Sequence, residues 1–354
     1  MDFFQQQDDA RRRTRWLVAY FVGAIFGLAS TFYLISLLPY FHAHPEEVGS
    51  FWHPKLFQWV VSAILVVIAL GSLVKLMKLR KGGKAIALTL GGRPLTAPAT
   101  DPDERELQNI VEEMSIASGV PVPAIYVLDR EPGINAFAAG FRPQDAVIGV
   151  TKGAMQFLSR DELQGIIAHE FSHILNGDMR LNLRLVSWLH GILWIGMVGR
   201  GLLEGAHRCV PWNSESDSLK KGGLGLFFIG SFVGVIIYGL GSAGAFFGRL
   251  IKSAVARQRE FLADAAAVQF TRNPIGLANA LKKIGGLAHG SRIHSPMAEE
   301  ASHMFFGNGL RSSWFGFFAT HPSLKKRIKL LDPTFDGRFP PVTFAVGRTK
   351  LPPR

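Results

Sequence analysis

His169-Glu170-Phe171-Ser172-His173 sets two imidazoles four residues apart with a carboxylate beside the first. In a helix, residues i and i+4 share one face, so both rings can direct a nitrogen at one cation at about 2.0–2.1 Å, the zinc–histidine bond length. Glu170 then stands next to that ion. A general base must be there to take a proton from water whose pKa the metal has lowered. The pattern predicts Zn²⁺-assisted hydrolysis, with His169 and His173 as ligands and Glu170 as base. The plainer alternative is a pair of ordinary core or surface histidines.

A catalytic zinc site needs a third protein ligand and an open position. The metzincin arrangement would require Gly three residues and His six residues after the second histidine, where Asn176 and Met179 stand instead. Asp161, Glu162, Gln164 and Asp178 surround the motif, so its helix is expected at or above a membrane surface and not within lipid. Arg259-Glu260-Phe261-Leu262-Ala263-Asp264 offers Glu260 as the third ligand. One turn later, Asp264 can accept the free N–H of a ligand histidine and fix its tautomer. The same Glu–Asp spacing also suits a solvated helix face. Cys209 is the single cysteine, so no intramolecular disulfide can form and any metal must be held by His and carboxylates.

The elements that must position these residues are also readable. Ser159 followed by Glu162 is a capping box, and the apolar run it opens stops near Asn176-Gly177, so the histidines lie in a helix. Leu107, Ile110, Val111 and Met114 form a core-facing stripe on a helix over 103–118. Residues 124–128 read as a strand, and 136–139 and 146–151 flank the loop Arg142-Pro143-Gln144-Asp145. A helix over 252–270 ends before Asn273-Pro274, which opens another to about 287, and the proline-rich chain after 331 is expected to be irregular.

Four apolar stretches, 16–38, 57–77, 185–203 and 224–248, are long enough to cross about 30 Å of hydrocarbon. The third carries His190 and Arg200, while the fourth shows G-x-x-x-G spacing at Gly230/Gly234 and Gly244/Gly248, which chance explains equally well in so glycine-rich a segment. Arg11, Arg12, Arg13 and Arg15 precede the first stretch, Lys75, Lys78, Arg80, Lys81 and Lys84 close the second, and the loop between carries only Lys55. By the positive-inside rule the N-terminus and the chain after residue 78 are cytoplasmic. The first stretch is too long for a cleaved signal and reads as an anchor. Arg249, Lys252, Arg257 and Arg259 return the chain to the same side. The 354 residues are 48% apolar with net charge +12, but the basic residues sit beside the apolar runs, which points to a bilayer and not to nucleic acid.

Together these residues resemble the HtpX-type membrane metalloproteases, kin of the CAAX prenyl proteases, over about residues 84–331 and both membrane hairpins. Asn135-Ala136-Phe137 is similar to the family's Asn-Ala-Phe edge strand, which implies pairing with substrate backbone. Thr320-His321-Pro322-Ser323 with Arg327 is similar to the family's late histidine and arginine, which implies that His321 and Arg327 steady the oxyanion. Alone, Asn135-Ala136-Phe137 reads as a turn and short strand, His321 as a helix-entry residue and Arg327 as a surface charge. The resemblance further implies a multi-pass protein of a bacterial-type inner membrane, with a cytoplasm-facing site acting on damaged membrane proteins. The stretch 290–318, with His294, His303 and the aromatic run 314–318, departs from shorter family members and suits a lid, a membrane-resting segment or added core.

The expected architecture is α+β: a zincin-like, mainly helical metalloprotease domain with a small β-sheet and about four transmembrane helices in two hairpins. Residues 1–15 form a cytoplasmic segment, 16–78 the first hairpin, 79–182 the first half of the protease domain, 183–248 the second hairpin, 249–331 the second half and 332–354 a tail. The expected activity is zinc metalloendopeptidase, with polypeptides as substrates, one Zn²⁺ per chain and a lipid bilayer as surroundings. The competing readings are a catalytically silent scaffold with a structural metal site, which needs a fourth ligand the sequence does not offer, and a prenyl-peptide protease, whose kin enclose more spans.

Overall fold

The computed structural model describes residues 3–48, 50–79, 82–96, 98–208, 217–287, 305–306 and 319–342. Cys209, His289, His294, His303 and the run 314–318 lie outside them. The chain is mostly helical. Helices α1 (Phe3–Ala43), α2 (Pro54–Leu79) and α3 (Gly82–Thr89) lead to strand β1 (Arg93–Pro94) and helix α4 (Pro102–Ser118). Strands β2 (Ala124–Leu128), β3 (Ala136–Ala139) and β4 (Val147–Thr151) precede helices α5 (Lys152–Phe157) and α6 (Arg160–Leu175). Then come α7 (Asp178–Arg208), α8 (Asp217–Thr271), α9 (Pro274–Gly286) and α10 (Leu324–Leu331).

Two compact units result, one from Met1–Trp16, Arg80–Asn182 and Ser253–Arg354, the other from Leu17–Leu79 and Leu183–Lys252. The second unit holds the apolar portions of the four helices long and apolar enough to cross a membrane. Its core joins Phe21 and Leu28 of α1, Ile64 and Ile68 of α2, Leu189, Ile192 and Ile195 of α7 and Ala245 of α8. Glycine lets α7 and α8 touch backbone to backbone: a Cβ on Gly199 would fall 2.3 Å from the Tyr238 nitrogen, and one on Gly241 2.3 Å from the Gly196 nitrogen. Gly230, Gly234, Gly244 and Gly248 all face α7 side chains, which gives their spacing a packing role.

In the first unit a four-stranded sheet runs in the order β1-β2-β4-β3, with β2 and β4 parallel and the other pairs antiparallel. β3 is therefore an edge strand. Alternate residues enter two cores, as the period-2 geometry of strands requires. Ile125, Val127, Ala136, Ala138, Ile148 and Val150 pack with α4, α6 and α9, while Tyr126, Leu128, Phe137, Ala139 and Val147 pack with Ala87 and Leu90 of α3 and its following turn. The helices begin and end where their caps dictate. Asp101 accepts the Asp103 and Glu104 N–H groups at 2.8 and 3.2 Å to open α4, and Gly119 closes it in the left-handed region at φ 72. α8 differs from the sequence expectation, because no break separates the fourth apolar stretch from the helix over 252–270. Nothing at Arg249 or Lys252 stops a helix, so one element runs through.

Candidate metal centre

α6 carries the histidines, and its start is fixed twice. Ser159 Oγ accepts the Glu162 N–H at 3.4 Å while the Ser159 N–H donates to Glu162 Oε2 at 2.7 Å. Lys283 of α9 adds a bond to that same oxygen at 2.6 Å. Glycine at position 165 lets α9 lie close, since a Cβ there would fall 2.9 Å from the Leu277 nitrogen. Phe171, Ile166, Ile167 and Ile174 anchor the helix in the core, which turns His169 and Glu170 toward α8.

His169, His173 and Glu260 offer ligand atoms that all lie within 4.8 Å of one another. The two Nε2 atoms are 3.1 Å apart, and Glu260 oxygens stand 3.8 Å from His169 Nε2 and 3.5 Å from His173 Nε2. Ligands about 2.0–2.1 Å from a tetrahedral ion stand about 3.3–3.4 Å from each other, so these spacings fit a zinc-sized ion. The outer ring nitrogens are committed elsewhere. His169 Nδ1 donates to Asp264 Oδ1 at 2.9 Å and His173 Nδ1 donates to Asp178 Oδ2 at 2.8 Å. A carboxylate only accepts, so each Nδ1 carries the hydrogen and each Nε2 presents a lone pair. Two lone pairs aimed at one point beside a carboxylate call for a cation between them, and the donor set fits zinc.

Electrostatics agree. Burial lowers the His169 pKa to about 4, against the opposing pull of Asp264, so this ring is the neutral imidazole that ligates metals. Burial would also lower His173, but its hydrogen bonds to Asp178 and Glu260 outweigh it and hold its pKa well above the ordinary value. To ligate, Nε2 must give up any proton shared with Glu260, and the carboxylates that attract that proton attract a cation in its place. Glu170 is 1% exposed, and among the described residues neither of its oxygens makes an aligned hydrogen bond. Burial pushes its carboxyl up to about 8, with the nearby His173 pulling the other way.

Each histidine-binding carboxylate is in turn held by an arginine. Arg327 donates to Asp264 from Nε at 2.8 Å and from Nη2 at 2.7 Å, and its Nη1 lies 3.2 Å from Glu260 Oε2. Burial alone would lower the Arg327 pKa, but Asp264 and Glu260 raise it. Arg259 bonds Asp178 and donates to the Asn176 carbonyl at 3.1 Å. His321 Nδ1 lies 2.9 Å from Glu260 Oε2, near enough for an ion pair but out of line for a hydrogen bond, and both its ring nitrogens are otherwise uncommitted among the described residues.

Sequence reading placed Glu260 and Asp264 beside the motif, and the fold brings them there with His321 and Arg327. Arg327, which alone reads as a surface charge, is 1% exposed. Asn135 is fully buried, its N–H donating to Thr151 Oγ1 at 2.9 Å and its Oδ1 accepting the Ala136 N–H at 2.9 Å. Phe137 pairs with Gly149, where a Cβ would fall 2.1 Å from its ring. The sequence reading missed Asp178, Arg259 and Phe306, whose ring stands edge-on to His169 at 4.7 Å. The signal for Asp178 was present as an acidic residue just past the motif helix; nothing local marked Phe306.

Known proteins resemble this chain. Residues 101–334 match peptidase family M48. The chain is 36% identical over 278 residues to a protease HtpX homolog of Caldanaerobacter subterraneus subsp. tengcongensis, covering 78% of this chain and 86% of that one. It is 35% identical over 226 residues to a protease HtpX homolog of Dictyoglomus turgidum, covering 64% and 68%. A crystal structure of S. mikatae Ste24p aligns over 92% of this chain and 66% of that chain, at 19% identity and a TM-score of 0.41. With its HEXXH motif on a helix, a carboxylate from a later helix and four apolar helices, this chain belongs to the M48 family of metallopeptidases.

Proposed function

We propose that this chain is a zinc-dependent endopeptidase of a bacterial-type inner membrane, with its site facing the cytoplasm and acting in quality control on damaged or misassembled membrane proteins. The observation that carries the reading is the convergence of His169 Nε2, His173 Nε2 and Glu260 next to the buried Glu170 carboxyl. Three ligands among the described residues, and not four, favour a catalytic over a structural site, since closed structural sites use all four positions.

In this reading His169, His173 and Glu260 hold the ion, which supplies Lewis acidity toward water and the scissile carbonyl. Glu170 takes the proton of the attacking water and returns it to the leaving amine, a double duty that its place beside His169 and the ligand cluster allows. His321, whose Nδ1 faces Glu260 and whose Nε2 has no hydrogen-bond partner among the described residues, donates from Nε2 to the developing oxyanion. Arg327 acts mainly through Glu260 and Asp264, which it holds in place. The edge of β3 at Asn135, Ala136 and Phe137 receives the substrate backbone by strand addition.

The test is cleavage of an unfolded membrane protein by detergent-purified protein with zinc, comparing wild type with Glu170→Gln. A fall of about a hundredfold or more in kcat, with metal retained, is expected for loss of the general base. Equal cleavage by both proteins sinks the mechanism.

A further inference from the structure

The outer edge of β3 is taken by the chain itself. Phe305 forms an antiparallel bridge with Phe137, and the Phe306 N–H donates to the Ala136 carbonyl at 2.8 Å. The Phe306 carbonyl accepts from Arg327 Nη1 at 3.3 Å. The two rings leave on opposite faces, as alternate residues of a strand must. Phe305 meets Phe137 edge-on at 5.9 Å in the smaller core. Phe306 enters the main core, edge-on to His169 at 4.7 Å with the Arg327 guanidinium 4.8 Å from its centroid. Both residues are 1% exposed.

Residue 306 therefore has all that a bound substrate residue needs. Its N–H is paired to the recognition strand, its carbonyl is held by a cation, and its side chain fills a buried pocket against a metal-binding imidazole. In strand addition, main-chain bonds give alignment and pockets for alternate side chains give selectivity. We propose that Phe305–Phe306 is a built-in substrate mimic, and that the space beside His169 filled by Phe306 is the specificity pocket for a large apolar side chain of an extended polypeptide. This rests on the endopeptidase reading above. A folded protein keeps its aromatic residues inside and its strands paired, so it cannot compete with the internal segment. An unfolded chain that exposes an apolar residue in extended backbone can. Self-occupancy thus restricts cutting to unfolded, apolar segments.

The experiment uses the full chain in detergent micelles with zinc. In Glu170→Gln, hydrogen exchange at the Phe306 amide is followed with and without a short unstructured peptide carrying one central Phe, its binding checked by fluorescence anisotropy. The expected result is faster exchange at Phe306 with the Phe peptide and no change with the same peptide carrying Gly. Undisturbed protection at saturating peptide overturns the proposal, as does failure of the Phe peptide to bind more tightly than the Gly peptide. With wild type, kcat/KM for the Phe peptide should exceed that for the Gly peptide by about tenfold. Phe306→Ala should lower KM severalfold; if it does not fold, Phe306→Leu, which keeps most of the volume but loses the ring contacts, should move KM the same way. Unchanged KM and a flat preference remove the pocket but leave the peptidase reading intact. Cleavage independent of Glu170 removes the peptidase reading, and the exchange result still decides who occupies the β3 edge.

Discussion

His173 is oriented by a residue beyond the end of its own helix. Asp178 lies past Gly177, which turns the chain with φ 67, and this bend brings the carboxylate back to His173 Nδ1 at 2.8 Å. Helical spacing cannot show such a pairing, so Asp178 was visible only as an acidic residue past the motif helix, whereas the role of Asp264 was legible because it follows Glu260 by one helical turn. The two histidines are nevertheless held alike, each by an aspartate that is itself held by an arginine: Asp264 by Arg327 and Asp178 by Arg259. Such outer partners fix the ligand tautomer and typically tune metal affinity by 10–100-fold. Asp178→Ala should therefore weaken zinc binding by about that factor in chelator competition, as should Asp264→Ala. Asp178→Asn, which keeps an acceptor oxygen for Nδ1, should lose less. Wild-type affinity in Asp178→Ala would show that its hydrogen bond does not matter for the metal.

At the scale of elements, what the sequence declared through local rules appeared where expected. The capping box at Ser159 and Glu162, the stripe on α4 and the strand β2 all follow from side-chain type and period. The short elements α3, β1 and α5 did not declare themselves, because each is set by what it packs on. Gly83 of α3, for example, exists to let the helix approach the sheet, since a Cβ there would fall 2.3 Å from the Ala139 carbonyl oxygen. The same kind of approach governs the metal helix. α6 meets α9 at Gly165, with the Leu277 backbone 2.9–3.0 Å from where a Cβ would be. Backbone cannot step aside as a flexible side chain can, so Gly165→Val should force α9 outward and cost about 1–3 kcal/mol, typical of overpacking. A lower midpoint of thermal unfolding, with weaker zinc retention because α6 shifts, is the expected result. An unchanged midpoint would mean that the two helices have slack that the glycine does not suggest.

For the whole molecule, the metal site constrains the membrane topology. His169 and His173 precede the apolar portions of α7 and α8, and Glu260 follows them, yet the three meet at one point. Between the two halves of the site the chain must cross the bilayer an even number of times. The stretch in α8 is uncharged over 224–248; if it spans, parity requires the stretch in α7 to span as well despite His190 and Arg200. His190 and Arg200 make that third crossing the weaker one by sequence; convergence of the ligands ties it to the fourth. The side is a separate matter, set by charge. Arg12, Arg13 and Arg15 precede the apolar stretch of α1, Lys75 lies near the end of α2 and Arg249, Lys252 and Arg257 follow the fourth apolar stretch, against Lys55 alone in the first loop. By the positive-inside rule this distribution favours the proposed cytoplasmic site. Reporters fused after Lys84 and after Thr334 should both be active in the cytoplasm, and one inserted after Glu47 outside it. If only the Thr334 fusion reported from outside, one of the later stretches would not cross, and Glu260 could not reach the histidines. If all three inverted together, the site would survive intact and face the other compartment, which would exclude cytoplasmic quality control while sparing the metal chemistry.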